Sequence, residues 1–157
     1  MSRLATFAGW VLTAVAGTLL LAMMLLTVVD VVGRYVFAAP VPGAFEATEV
    51  MLALSIFAGL PLVTARGEHI TVRLAIDPLP TLPRRVLLRI ADAVTALALG
   101  YAAFLLYQRG AALARYGDAT VLLGIALAPV AFALSALAAA AAVAGAVRTV
   151  ALTLRPQ

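Results

Sequence analysis

Eight ionisable side chains in this chain sit where they could do chemistry: Asp30, Arg34, Glu46, Glu49, Arg66, His69, Arg89 and Asp92. Asp30 and Arg34 are spaced i, i+4 with the acid first, the better orientation for a helical ion pair. Arg89 and Asp92 repeat the arrangement at i, i+3. A carboxylate within a membrane is a candidate ion or proton ligand, and pairing with a nearby arginine is the common way to neutralise it. Both couples read as intramembrane ion pairs near helix ends. Glu46 and Glu49 open an apolar run, where they face the positive end of a helix dipole. Contact with a partner protein is the sharper use for them. His69 is the only histidine and there is no cysteine. A bis-histidine haem site or a histidine-rich metal site therefore cannot be built from this chain alone. Beside Arg66 and Glu68, His69 reads as an interfacial hydrogen-bonding group.

Composition says which elements must position these groups. The chain has 157 residues, of which 65% are hydrophobic and 11% charged, with a mean hydropathy of +1.12. A soluble domain carries about 25% charged residues. All eleven basic residues are arginine. They flank apolar runs rather than forming a patch, so the basic balance points to membrane surface and not to nucleic acid.

Crossing the hydrocarbon takes about 20 apolar residues as a helix. Positions 4–29 and 119–147 hold no charge, 90–108 hold only Asp92, and 50–65 are clean but short. The short run must reach back to about Ala44. The sequence predicts an all-α membrane protein of one domain with four transmembrane helices, at about 8–31, 44–65, 88–108 and 121–146. The first run is too long for a signal-peptide core and Phe37-Ala38-Ala39-Pro40 is a poor cleavage site, so the first helix reads as an uncleaved anchor. Four spans put both termini and the middle loop on one side. That side carries Arg3, Arg66, Arg73, Arg84, Arg85, Arg89, Arg148 and Arg155, against Arg34, Arg109 and Arg115 on the other. By the positive-inside rule both termini are cytoplasmic. Tyr35, Tyr107 and Tyr116 then lie at outer helix ends.

The stretch 67–85 between the second and third helices reads as a surface segment. Ile70, Val72, Leu74 and Ile76 alternate with Thr71, Arg73, Ala75 and Asp77, and Pro78, Pro80 and Pro83 forbid a continuous helix. Pro129 marks the first turn of the fourth helix or kinks it. Small residues recur at Gly9, Thr13 and Gly17, at Ser55 and Gly59, and at Ala138, Ala142 and Ala146, spacings that let helices approach closely. No phosphate loop, nucleophile–base pair or carboxylate cluster appears, so the chain reads as no enzyme and calls for no cofactor.

The segment 34–80 resembles the small membrane subunit, the four-helix DctQ type, of tripartite ATP-independent periplasmic (TRAP) transporters. The matching residues are Arg34, Tyr35 and Phe37, a turn with Pro40 and Pro42, the acid Glu49, then Arg66, His69, Ile70 and Val72, and Leu79 with Pro80. Phe45 and Glu46 stand where the family often has a tryptophan before the acid, and Arg73 where an acid often follows. The resemblance implies a brace that scaffolds a large multi-span transport subunit. It also implies a periplasmic substrate-binding protein as partner and sodium-coupled uptake of an organic acid in the bacterial inner membrane. Arg34, Tyr35, Glu46 and Glu49 would face the periplasm. Arg66 and His69 would meet phospholipid headgroups or the large subunit at the cytoplasmic face. Two other readings compete: a self-contained four-helix proton-coupled exporter acting as a homo-oligomer, and a membrane-anchor subunit of a redox complex. The exporter needs a carboxylate at the bilayer centre, whereas Asp30 and Asp92 lie near helix ends.

Overall fold

The structure is a computed structural model that describes residues 3–66 and 81–153, with side chains for 6–66 and 86–150. Within these residues the chain is all helix apart from its connections. The helices are α1 (Arg3–Val36), α2 (Ala44–Arg66), α3 (Thr81–Tyr116) and α4 (Leu127–Thr153). Each contains a stretch long and apolar enough to cross a membrane, with mean hydropathies of 2.3, 1.7, 1.7 and 2.2 in chain order. Residues 67–80 and His69 lie outside the described residues.

The helices run alternately up and down but do not pack in chain order. α1 packs on α2, α2 on α4, and α4 on α3, making a row α1–α2–α4–α3. The middle helices are the covered ones. Of their most apolar stretches, 22% of α2 and 28% of α4 is buried, against none of α1 and 6% of α3. A water-soluble bundle would close this row into a ring to hide its outer faces. Lipid removes that pressure, because hydrocarbon is as good a neighbour for leucine as another leucine.

Small residues set the contacts. The buried positions of α2 are Ser55, Ala58, Pro61 and Thr64, recurring every three residues. α4 answers with Ala131, Ser135, Ala138, Ala141 and Gly145. Of the small-residue spacings in the sequence, only parts are used. Ala138 is fully covered, while Ala146 is exposed and a Cβ added at Gly17 or Gly59 would meet nothing within 4 Å. On α1 the half-buried residues are Gly9, Leu12, Ala16, Leu19, Met23, Leu26, Asp30 and Gly33, with Ala22 beside them. Their spacing alternates three and four, the heptad signature of two helices winding left-handedly around each other. The seam starts where Gly9 meets the Leu62 side chain of α2.

Helix ends follow backbone chemistry rather than charge. α3 does not stop at Arg109; it continues through Arg115 to Tyr116, about 54 Å in all at 1.5 Å per residue. Gly117 ends it, with φ +69 and the Leu113 carbonyl accepting the Gly117 and Asp118 amides at 3.0 and 3.2 Å. This is a Schellman-type cap. The charge-free run after Asp118 begins with a hairpin, and α4 starts only at Leu127. Prolines act by position. Pro83 does not prevent helix, because it falls in the first turn of α3, where an amide has no intrahelical partner anyway. Pro129 likewise sits in the first turn of α4. Pro61 is the interior one, buried in α2, and it leaves the Phe57 carbonyl without its usual amide donor.

Candidate functional site: the loop end of the row

The two short connections, 37–43 and 117–126, lie at the same end of the row, and both are tied down by acids. α1 ends in a tight turn. The Gly33 carbonyl accepts the Phe37 and Ala39 amides at 3.2 and 2.9 Å, and Ala38 takes a left-handed φ of 51. A Cβ at Gly33 would lie 2.6 Å from the Ala39 carbonyl oxygen, so this position requires glycine. Asp30, one turn earlier, holds the turn from inside. Its Oδ2 accepts from Arg34 Nη2 at 2.7 Å and its Oδ1 accepts the Val41 amide at 2.9 Å. Asp30 is 15% exposed and Arg34 56%. The acid is therefore committed to the protein, while the guanidinium also reaches the surroundings.

Gly43 (φ +76) turns the chain into α2, and Ala47 donates back to its carbonyl at 3.0 Å. Glu46 follows in the first helical turn. Its carboxylate reaches across to the α3–α4 connection, where Oε1 accepts the Leu122 amide at 2.9 Å and Oε2 accepts the Leu123 amide at 3.0 Å. That connection is a small hairpin. Ala119 and Ala126 bridge antiparallel, Thr120 donates its amide to Ile125 at 3.0 Å, and Leu127 donates to Asp118 at 3.0 Å. The Thr120 hydroxyl oxygen accepts the Ile125 amide at 3.0 Å, and Gly124 (φ +64) closes the tip. Around these polar anchors Tyr35, Phe37, Phe45, Tyr116 and Val121 are all exposed.

Glu49, one turn beyond Glu46, is exposed on α2. Arg66 is exposed at the opposite end of the same helix, and Arg89 is half-buried on α3. Asp92 is brought to a residue that charge counting treats only as a flank: Arg148 of α4, with Nη2 3.6 Å from Oδ2. At that distance the two form an ion pair without a hydrogen bond. Asp92 Oδ2 and Arg148 Nη1 are buried and have no hydrogen-bond partner. The structure thus gathers Asp30, Arg34, Glu46 and Glu49 near the loop end, with Arg66, Arg89 and Asp92 towards the other. Sequence reasoning missed the Glu46 bond to the hairpin and the Arg148 partner of Asp92. The paired turn glycines, Gly117 and Gly124, were the available sign of a hairpin.

Away from the Asp92–Arg148 pair, the inside of the row is polar only in small ways. The buried polar side chains among the described residues are Ser55, Thr64 and Ser135. Ser55 donates to Leu52 O and Thr64 to Leu60 O within α2, and Ser135 donates to Ala103 O across α4 and α3 at 2.8 Å. No group of three or more His, Cys, Asp or Glu that could hold a metal ion occurs among the described residues.

Four apolar helices with their charged groups gathered at the ends define a multi-pass membrane protein. No curated relative matches the chain. The family model described as "Tripartite ATP-independent periplasmic transporters, DctQ component" matches residues 23–155. The chain belongs to this family, and is a small component of a tripartite transporter of that kind. The family is a transporter component and not an enzyme family. Membership implies that a large membrane component and a binding protein complete the system.

Proposed function

We propose that this chain is the static brace of its transporter. It scaffolds the large multi-span subunit during sodium-coupled, binding-protein-dependent uptake of an organic acid, and it performs no catalytic step. The observation that carries this reading is the state of the buried hydroxyls. Ser55, Thr64 and Ser135 each donate to a backbone carbonyl, so no chain of open polar groups links the two ends through the described core. A conduit needs such a chain. A brace needs what the row offers instead, wide lipid-facing flanks for a larger subunit and anchored loops at one end.

The chain sits in the bacterial inner membrane with both termini cytoplasmic, in keeping with the arginine imbalance between the two sides. The loop end then faces the periplasm. There Glu49 and Arg34 carry exposed charge to the binding protein, while Arg66 and His69 serve the cytoplasmic face towards phospholipid or the large subunit.

Purification in mild detergent from native membranes should bring down a stoichiometric large multi-span subunit. Recovery of the chain alone as a homo-oligomer would sink the brace reading and favour the exporter. In the same system Glu49→Lys should lower uptake several-fold with the membrane level of the complex unchanged. Wild-type uptake in that variant would remove Glu49 from the docking role.

A further inference from the structure

The acids that open α2 have different fates. Glu49 is exposed, whereas Glu46 is taken up within the chain, its two carboxylate oxygens shared by the amides of Leu122 and Leu123. Those residues lie 76 and 77 positions away in sequence. The same hairpin is pinned a second time, because Leu123 covers Gly43. A Cβ built on Gly43 would stand 2.5 Å from Leu123 Cγ. Asp30 ties the other end of the 37–43 turn through the Val41 amide. The end of α1, the start of α2 and the tip between α3 and α4 are thereby joined into one surface.

We infer that Glu46 is a positioning residue of the transporter. Its carboxylate latches the α3–α4 hairpin to the start of α2, and the latched hairpin holds the loop end in the shape that supports uptake. The inference rests on the brace reading above, since a brace acts through its shape. The chemistry asks for glutamate. Glu46 Oε2 lies 3.2 and 3.0 Å from the Leu122 and Leu123 nitrogens and Oε1 lies 2.9 Å from Leu122 N, so both oxygens of one charged group serve the two neighbouring amides. Glutamine offers one oxygen and turns an NH₂ donor towards the second amide. Aspartate is one methylene shorter. The hairpin's own bonds hold its stem at Thr120, Ile125 and Leu127, while the Leu122 and Leu123 amides at the tip are satisfied from α2.

The test uses the assembled transporter in lipid nanodiscs for hydrogen exchange and intact cells for uptake. In Glu46→Ala, exchange in peptides covering 118–126 should quicken on the order of 10- to 100-fold, the scale set by losing hydrogen bonds to a charged acceptor. Exchange in the four helices should stay as in the wild type. Uptake should fall several-fold at an equal level of complex, with Glu46→Gln in between. Glu49→Ala is the matched control and should leave hairpin exchange unchanged.

Wild-type exchange in Glu46→Ala overturns the latch. Faster exchange with wild-type uptake overturns the positioning role. Should Glu46→Ala fail to accumulate, Gly124→Val tests the same point with Glu46 in place, because a β-branched residue strains the φ of +64 and loosens only the tip. Faster exchange with lower uptake in that variant supports the inference, and faster exchange with full uptake overturns it. Failure of the brace reading is separately visible: the wild-type chain would then purify without the large subunit, whatever the hairpin does.

Discussion

The α2–α4–α3 part of the row and the α1 edge are built from similarly apolar residues, yet they cohere in different ways. In the first, side chains interlock. Gly145 of α4 lies where a Cβ would touch Thr64 of α2 at 3.1 Å and Ala96 of α3 at 3.2 Å, so three helices converge on one absent side chain. Several turns along α4 towards the loop end, the Phe132 ring fills the space over Gly110 and lies 5.6 Å from Tyr107, and Ser135 hydrogen-bonds across to Ala103. In the second, α1 touches α2 along one heptad seam and presents the rest of its circumference outward. At its far end it is tied to the connection into α2 by the Gly33 carbonyl, through Phe37 and Ala39, and by Asp30, through Val41. Close approach of small residues is the chief source of helix association where lipid supplies no hydrophobic drive. The packed part uses it, and the edge hardly does.

The largest effect on this contrast should come from filling the three-helix junction. Gly145→Leu places a branched side chain where even one carbon is tight, and overpacking of this kind costs about 3 kcal/mol. Thermal unfolding in detergent, followed by circular dichroism, should show a clear loss of stability for Gly145→Leu and little for Gly17→Leu, whose site on α1 is open. Equal losses would erase the distinction between packed part and edge.

A smaller effect is expected from the Asp92–Arg148 pair, which joins α3 to α4 without a proper hydrogen bond. Removing Arg148 leaves Asp92, 17% exposed, without its partner on the neighbouring helix. Arg148→Ala should cost about 2 kcal/mol, below the range for a fully buried pair because both groups are only partly covered by the protein. Exchanging the two residues, Asp92→Arg with Arg148→Asp, should recover part of the loss. A swap no better than the single variant would mean that each charge acts through other neighbours.

How much of this was legible beforehand depends on the distance over which a residue acts. The four spans were legible because charges interrupt the apolar runs, and the cost of a charge in hydrocarbon is a local property. The closeness of Asp30 and Arg34 follows from one helical turn. The order of the helices was not legible. α1 is apolar on every side, so its heptad seam carries no contrast against the lipid-facing positions and emerges only when α2 is laid against it. Pro61 passed unnoticed inside a run read for charge alone. At the loop end, Glu46 carried a local signal, an acid in a first helical turn, that fully accounted for it. Its actual partners are backbone amides, which every sequence position possesses, and so nothing in the spacing of side chains could have pointed to Leu122 and Leu123. Arg148 was counted for its sign and its side of the membrane, and such a count is blind to the helix it faces.

The smallest stability effect is expected at the edge itself, and it is the one that sharpens the comparison most. A Cβ at Gly17 would meet nothing within 4 Å inside this chain. Gly17→Ala should therefore change the stability of the isolated subunit by no more than about 1 kcal/mol, in the stabilising direction that alanine's better helix propensity gives. If α1 faces only lipid, uptake by the assembled transporter should be unaltered by Gly17→Ala and by the bulkier Gly17→Leu. A fall in uptake with Gly17→Leu, while the isolated subunit keeps its unfolding temperature, would locate a close helix contact outside this chain. The edge that looks loosely held within the subunit would then be the part that the rest of the assembly completes, and the contrast with the packed helices would belong to the isolated subunit rather than to the transporter.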